Sequence, residues 1–467
     1  MGRSPYTRLV STVLFPVHEW AKGHGTRRVH RFLEQSQWWS REKIEAYQLE
    51  RLRNFLLGIG RDVPFYAKRF SDSGFDPRAL ATLDDLARLP LLDKETIRRN
   101  ADSMRAPAAT HLSRFNTGGS SGEPLIFYLG RERVSHDVAA KWRATRWWGV
   151  DIGDPEVVVW GSPIELGAQD RLRALRDRMF RTRLLSAFEM SEQQLGRFVT
   201  EIRKHRPKML FGYPSAIAHI AKYAEAQGTA MDDLGIEVAF VTAEKLYDDQ
   251  RERIAKVFGC RVANGYGARD AGFVAHECPQ GQLHITAEDI VVEIADEHGG
   301  RLPAGVAGEI VVTHMATKDF PFVRYRTGDV GVLSPDSCPC GRGLPVLAEV
   351  QGRTTEFVVA EDGPVLHGLA LIYVLRDLPG VAKFKIVQDT QRLVRVLLVP
   401  EGDLSQATAT AIRNGLQARL GQGVEVRIER VSDIPAEASG KFRYVTSHVA
   451  SGQFGRTSAG RESAVNS

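Results

Sequence analysis

Along residues 41–59 the apolar positions recur every three or four residues and the run ends on glycine, which predicts an amphipathic helix. Beyond residue 130 two periods alternate. Glu156–Trp160, Lys208–Phe211, Ile236–Val241 and Arg261–Asn264 are short, apolar runs, the pattern of strands buried on both faces. Helical patterning at 131–148, 192–205, 215–227 and 247–257 lies between them. Strands and helices in turn imply an α/β fold on a largely parallel sheet covered by helices. After residue 285 the texture changes to Ile290–Ile294, Glu309–Thr313 and Gly331–Leu333 between glycine and proline turns, so a β-rich portion follows. A smaller α+β unit comes last, with strands at Phe384–Val387, Leu393–Val399 and Val424–Ile428 and a helix at Gln406–Leu420. The expected division is a large N-terminal domain over 1–352, a small C-terminal one over 353–450, and a small, polar tail over 451–467 that stays disordered.

Composition supports a globular reading. Hydrophobic residues make up 43% and charged residues 25% of 467, enough for two or three buried cores. The formal net charge of +5 is mild and scattered, with some Arg concentrated near the start. It suits anionic small molecules and lacks the dense basic stripe of a nucleic-acid binder. Four cysteines argue against a disulfide scaffold and for a reducing, cytoplasmic setting. The apolar run Leu9–Val17, broken by Pro16, is too short to span a bilayer and lacks a cleavage site. Neither signal peptide nor integral membrane segment is expected. A first helix lying on the protein body is favoured, and Trp20, Trp38 and Trp39 among Arg and Lys leave membrane-surface contact open.

Four segments carry candidate chemistry. Thr117, Gly118, Gly119, Ser120, Ser121 and Gly122, followed by Glu123-Pro124, combine tight-turn glycines with backbone and hydroxyl donors that can converge on one anion. A flexible surface loop has the same composition, and no Gly-Lys-Ser/Thr of a P-loop is present. In Asn264-Gly-Tyr-Gly-Ala-Arg-Asp270 an aromatic followed by an acid could face an adenine ring and a magnesium ion, although a turn with a surface salt bridge fits as well. In Tyr325-Arg-Thr-Gly-Asp329 an Asp after a tight turn can accept from two vicinal ribose hydroxyls. In Pro435-Ala-Glu-Ala-Ser-Gly-Lys441 a Lys can reach an anionic centre from a mobile loop. Each is commonplace alone; the four in this order are not.

In these segments, over roughly residues 40–448, the chain resembles the adenylate-forming superfamily of acyl- and aryl-CoA ligases. The closer likeness is to the phenylacetate–CoA ligase family, especially homologues associated with capsule and other polysaccharide biosynthesis. The resemblance implies an ATP- and acyl-binding N-terminal domain and a mobile C-terminal lid. It makes Thr117–Pro124 the phosphate loop. Phe211-Gly-Tyr-Pro-Ser215 and Thr242-Ala-Glu-Lys-Leu246, with Ala243 and Glu244, become nucleotide and acyl-pocket segments. Tyr266 and Gly267 would meet adenine, Asp270 the Mg²⁺ and Asp329 the ribose. Arg353 falls at the hinge and Lys441 at the adenylation lysine. Two positions depart: Arg269 stands where many members have Thr or Ser, and Asp270 where most have Glu. Arg269 could still contact phosphate. The phosphate loop lacks the closing lysine of many members.

The implied reaction is ATP-dependent adenylation of a small carboxylic acid, aromatic acids included, then rotation of the lid and transfer to CoA. A non-CoA acceptor (an amine, a sugar hydroxyl or a carrier-protein thiol) is the alternative. A degenerate binder without catalysis is disfavoured by Asp329 and Lys441. The acid is not legible, and a homodimer is compatible with the sequence without being argued by it. Finally, His276-Glu-Cys278 and Cys338-Pro-Cys340 supply soft N and S ligands that match a closed, structural Cys₃His Zn²⁺ site. By resemblance, some phenylacetate–CoA ligase-like proteins hold a metal with comparable residues. His284 is a competing ligand, Cys260 reads as core, and reduced surface-loop thiols with an exposed His276 are the other reading.

Overall fold

The computed structural model describes residues 4–116, 125–160, 170–187, 190, 192–353, 357–362, 365–367, 369–375, 378–435 and 443–449. Strands are numbered along the chain. β1 (Ser113–Asn116) and β2 (Ile126–Leu129) form a small antiparallel pair. β3 (Glu156–Trp160), β4 (Thr182–Ser186), β5 (Met209–Gly212), β6 (Val238–Thr242) and β7 (Arg261–Ala268) run parallel in the order β4-β3-β5-β6-β7. Alternate residues of these strands feed different cores. Met209, Phe211, Val238 and Phe240 pack with Ala144 and Trp147 of the helix Arg131–Trp147. Leu210, Ala239 and Val241 pack with the helices Glu192–His205, Pro214–Ala226 and Asp248–Phe258 on the other face. Side chains alternate across a strand, so a sheet covered on both faces needs apolar residues at every central position. That is why these segments read as continuous apolar runs.

β8 (Gly272–Glu277) turns back antiparallel from β7. β9 (Leu283–Ile285), β10 (Ile290–Ala295), β11 (Gly308–His314), β12 (Phe322–Leu333) and β13 (Val346–Arg353) continue antiparallel, completing the order β10-β11-β12-β13-β9-β8-β7-β6-β5-β3-β4. Among the described residues the parallel and β-rich portions are therefore one sheet of eleven strands, joined at the β7–β8 hairpin. β7 runs past Asn264 to Ala268, so Tyr266 and Gly267 sit on the strand and not after it. Asp329 likewise lies inside β12, not after a simple turn; Gly328 has φ +75° where the pairing with neighbouring strands is irregular.

The C-terminal part has β14 (Phe357–Val359), β15 (Val365–His367) and a four-stranded sheet of β16 (Val381–Thr390), β17 (Leu393–Pro400), β18 (Glu425–Arg430) and β19 (Val445–Ser447), ordered β18-β17-β16-β19. The helices Leu369–Leu375 and Gln406–Leu420 pack on it around Leu371, Ile386, Val396, Ile412 and Leu416.

An N-terminal helical layer packs against β2 and β12 through Leu56, Ile59, Tyr66, Phe127 and Phe322. Arg324 pins it. This side chain is almost fully buried, pairs with Glu293 at 3.1 Å, and donates to the carbonyls of Leu89 (2.6 Å) and Gly299 (2.7 Å). Losing one partner of a buried pair strands the other charge, at a cost of about 3–5 kcal/mol. Arg324→Met is therefore expected to lower the thermal unfolding midpoint by several degrees. Arg61→Ala, which breaks an exposed pair with Asp62, leaves it unchanged. Scanning calorimetry of both variants checks this.

Candidate active site

The carboxyl ends of the parallel strands meet the β7–β8 hairpin, where the sheet changes from parallel to antiparallel. In open α/β sheets ligands bind in the crevice outside the carboxyl ends of the parallel strands. At the end of β5 a Cβ on Gly212 would lie 2.2 Å from the Val159 carbonyl oxygen, so only glycine fits. Tyr213 follows, stacked on Trp160 with ring centroids 4.4 Å apart. Burial, with Glu244 nearby, pushes the Tyr213 hydroxyl above its ordinary range and keeps it protonated.

Beyond β6, Ala243 adopts φ +70°, a left-handed conformation that costs a non-glycine residue about 1–2 kcal/mol. The strained turn is tied on both sides. Glu244 Oε2 accepts from the Ser215 N–H at 3.3 Å, and Lys245 Nζ donates to the Gln351 carbonyl at 2.9 Å. The first bond anchors it to the helix Pro214–Ala226 and the second to the end of β13.

The hairpin itself needs its glycine: a Cβ on Gly267 would sit 2.3 Å from the Gly272 carbonyl oxygen. Tyr266 Oη donates to Asp329 Oδ2 at 2.9 Å. In the opposite sense, Tyr325 Oη donates to Asp270 Oδ2 at 2.5 Å, while Asp270 Oδ1 accepts from the Ala271 N–H at 3.1 Å. Two tyrosine–carboxylate bonds thus cross between the hairpin and β12. Thr327 Oγ1 braces Asp329 by accepting from its N–H at 3.1 Å. Arg269 reaches back to the Asn116 carbonyl (3.3 Å), the residue that precedes Thr117. Burial pulls its pKa below the ordinary Arg value, with Asp270 opposing.

Of the residues expected from sequence, the structure brings together Tyr266, Gly267, Arg269, Asp270 and Asp329 on this hairpin and strand. Ala243 and Glu244 lie on the turn after β6, which pairs with β7. Asp329 lies opposite Arg353 in the β12–β13 register. Thr117, Gly118, Gly119, Ser120, Ser121, Gly122 and Lys441 lie outside the described residues. The sequence assigns no role to Tyr325, Thr327 or Lys245. The missing signal was three-dimensional, since their partners lie on other strands.

The cysteine cluster is real, with one substitution among its members. Cys278, His284, Cys338 and Cys340 have donor atoms all within 4.8 Å of one another. Cys278 Sγ and Cys338 Sγ are 3.7 Å apart, and Cys340 Sγ lies 3.2 Å from His284 Nε2. These separations and three sulfurs with one imidazole nitrogen suit a tetrahedral zinc. His284 Nδ1 faces the Leu344 carbonyl at 3.4 Å, which directs Nε2 toward the sulfurs. His276, expected as the ligand, is not there. It is buried and stacked on Phe273 with ring centroids 5.5 Å apart. Burial and Arg143 push its pKa down to about 3. Cys278 lies just past the end of β8, the strand that holds His276; the partner of His276 in β9 is His284, and it is His284 that reaches the sulfurs.

Residues 183–317 match the family model described as AMP-binding enzyme, and residues 358–448 that described as the CapK C-terminal domain. The first match runs from β4 past the end of β11, and the second covers the four-stranded C-terminal sheet. Protein CapK of Staphylococcus aureus is 25% identical over 422 residues, 88% of this chain and 91% of that protein. The phenylacetate-coenzyme A ligase of Thermus thermophilus is 26% identical over 68% of this chain and 72% of its own. In fold, 2-hydroxyisobutyryl-CoA ligase in the postadenylation state aligns with a TM-score of 0.71 and 21% identity, over 89% of this chain and 91% of that one. Over most of its length the chain is therefore similar to phenylacetate–CoA ligase-like members of the adenylate-forming superfamily.

A hydrogen bond to a charged group contributes about 1.5–3 kcal/mol. A double-mutant cycle of Tyr325→Phe and Asp270→Asn, read by denaturant unfolding, is expected to give a coupling of about that size. Additive effects would show that this bond does not hold the hairpin to β12.

Proposed function

We propose that the protein adenylates a small carboxylic acid with ATP and passes the acyl group to the thiol of CoA. The crossed pair Tyr266–Asp329 and Tyr325–Asp270 carries this reading, because it holds an aromatic ring and two carboxylates together where β12 meets the β7–β8 hairpin. Adenine lies against Tyr266 and Gly267, and Asp329 accepts from the ribose hydroxyls. Arg269 and the Thr117–Gly122 loop take the phosphates, and Glu244 with Ala243 shapes the floor. Asp270 holds Mg²⁺, which when bound neutralises phosphate charge. Lys441 completes the charge around the α-phosphate. The substrate carboxylate attacks that phosphorus and pyrophosphate leaves. The step is driven by positioning and fixed charge, so no acid–base triad is needed.

The chain divides at residue 352/353. The lid over 353–450 turns about Arg353 after adenylation, withdrawing Lys441 and admitting the thiol. Cys278, His284, Cys338 and Cys340 hold a structural Zn²⁺ that ties the β8–β9 hairpin to the segment before β13. The enzyme works in the cytoplasm, where ATP is supplied and its thiols stay reduced. A second reading is an acceptor other than CoA, because the C-terminal part matches the CapK C-terminal domain, whose description names no acceptor.

Incubation with ATP, Mg²⁺, CoA and a panel of aromatic, aliphatic and hydroxy acids should yield AMP and one thioester, identified by mass spectrometry. Acid-dependent AMP with no thioester would favour the second reading, and no acid-dependent AMP at all would refute both. Lys441→Ala should slow adenylation by about a hundredfold or more. Metal analysis of the purified protein should find one zinc per chain. It should be lost in Cys338→Ser and His284→Ala and kept in Cys260→Ser and His276→Phe.

A further inference from the structure

From Pro5 to Ala21 the chain forms a continuous helical stretch, α-helical at both ends with a π-helical segment over Val10–Leu14. One face, with Val10, Ser11, Phe15 and Glu19, is buried on the protein. The other presents Tyr6, Leu9, Val13, Val17 and Trp20, spaced by three, four, four and three residues, which is the repeat of a single helix face. These residues are 36% to 78% exposed, Trp20 the most. Nine large hydrophobic side chains are exposed among the described residues, and five of them lie in this stretch. Such clustering is the mark of a face that meets an apolar partner.

Charge selects the partner. Arg8, Lys22, Arg27, Arg28 and Arg31 are exposed on this helix and the one that follows it, Thr26–Ser36. Glu19 is the one acid in residues 4–33, and it is turned inward, where it accepts from Thr26 Oγ1 at 2.5 Å and meets His24 Nδ1 at 3.1 Å. The exposed positions of this region thus carry cations and no anion. Val13, Val17, Trp20, Arg27, Arg28 and Arg31 line one shared groove of about 870 Å³. A second copy docked face to face would set cations against cations, which argues against a two-fold dimer here. An apolar stripe with a tryptophan, flanked by Lys and Arg, is what an anionic lipid surface binds. No helix of the described residues is long and apolar enough to cross a membrane, so the stripe lies in the interface plane.

We infer that Tyr6–Trp20, with Arg27, Arg28 and Arg31, forms a membrane-surface element that seats this protein on anionic phospholipid. The apolar side chains enter the headgroup boundary and the arginines pair with lipid phosphates. Neither contact involves the nucleotide crevice, so seating and adenylation are separable.

The test is co-sedimentation of the full chain with phosphatidylcholine vesicles, with and without one-third phosphatidylglycerol. Partitioning should be at least about tenfold stronger with the anionic lipid, and should fall about tenfold between about 0.1 M and 0.5 M NaCl. Val13→Asp/Val17→Asp and Arg27→Glu/Arg28→Glu/Arg31→Glu should each abolish it with the thermal midpoint unchanged. Trp20→Phe, the mildest change, should reduce tryptophan quenching by brominated lipid in case a multiple variant fails to fold. The proposal is overturned if the protein ignores both vesicles or binds both alike irrespective of the substitutions. It is equally overturned if the valine variant changes the sedimentation mass, which would assign the face to self-association, or if the protein binds acidic polypeptide but not lipid.

Discussion

The structure around the crevice depends on two hydrogen bonds that run in opposite directions between the same two elements. Tyr266 of β7 donates to Asp329 of β12, and Tyr325 of β12 donates to Asp270 at the β7–β8 turn. In sheet order β12 and β7 are separated by β13, β9 and β8. The contact is feasible because β9 has three residues and pairs with β13 only at Val346 and Leu347. Beyond that short ladder β12 can cross over the hairpin. Both acids are then fixed in orientation by phenols, which leaves each carboxylate with further lone pairs for a ligand.

Buried charge serves a different end elsewhere. Arg143 and Glu288 pair at 2.6 Å with almost no exposure, and Ser36 donates to the same carboxylate oxygen. Arg51 meets Asp289, and Arg324 meets Glu293. Such pairs add little net stability over apolar packing of equal volume, but they tolerate no other alignment. They join the N-terminal helices and the helix Arg131–Trp147 to the antiparallel half of the sheet. The helical layer is thereby held in register with the strands that carry Asp270 and Asp329.

The α/β class was legible because a parallel strand buried on both faces has to be apolar throughout. The helix Asp170–Phe180 and β4 were not: β4 is an edge strand in which Leu185 is the buried residue of five, so its sequence carries almost no pattern. The residues around the crevice were legible through glycine. Gly212 and Gly267 touch neighbouring backbone and leave no room for a Cβ, so the motifs around them show in sequence. Tyr325 was silent because its role depends on a partner 55 positions away. The choice between His276 and His284 was silent for the same reason. Spacing to Cys278 favours the former, while cross-strand pairing places the latter beside the thiols.

The proposed chemistry in this crevice is activation of a carboxylate through an enzyme-bound adenylate. Acid-dependent exchange of labelled pyrophosphate into ATP, measured with no acceptor present, isolates that half-reaction. Exchange is expected with at least one acid of a broad panel, and its loss is expected in Asp329→Ala with the fold retained. Exchange that is absent with every acid, or undiminished in Asp329→Ala, would contradict it.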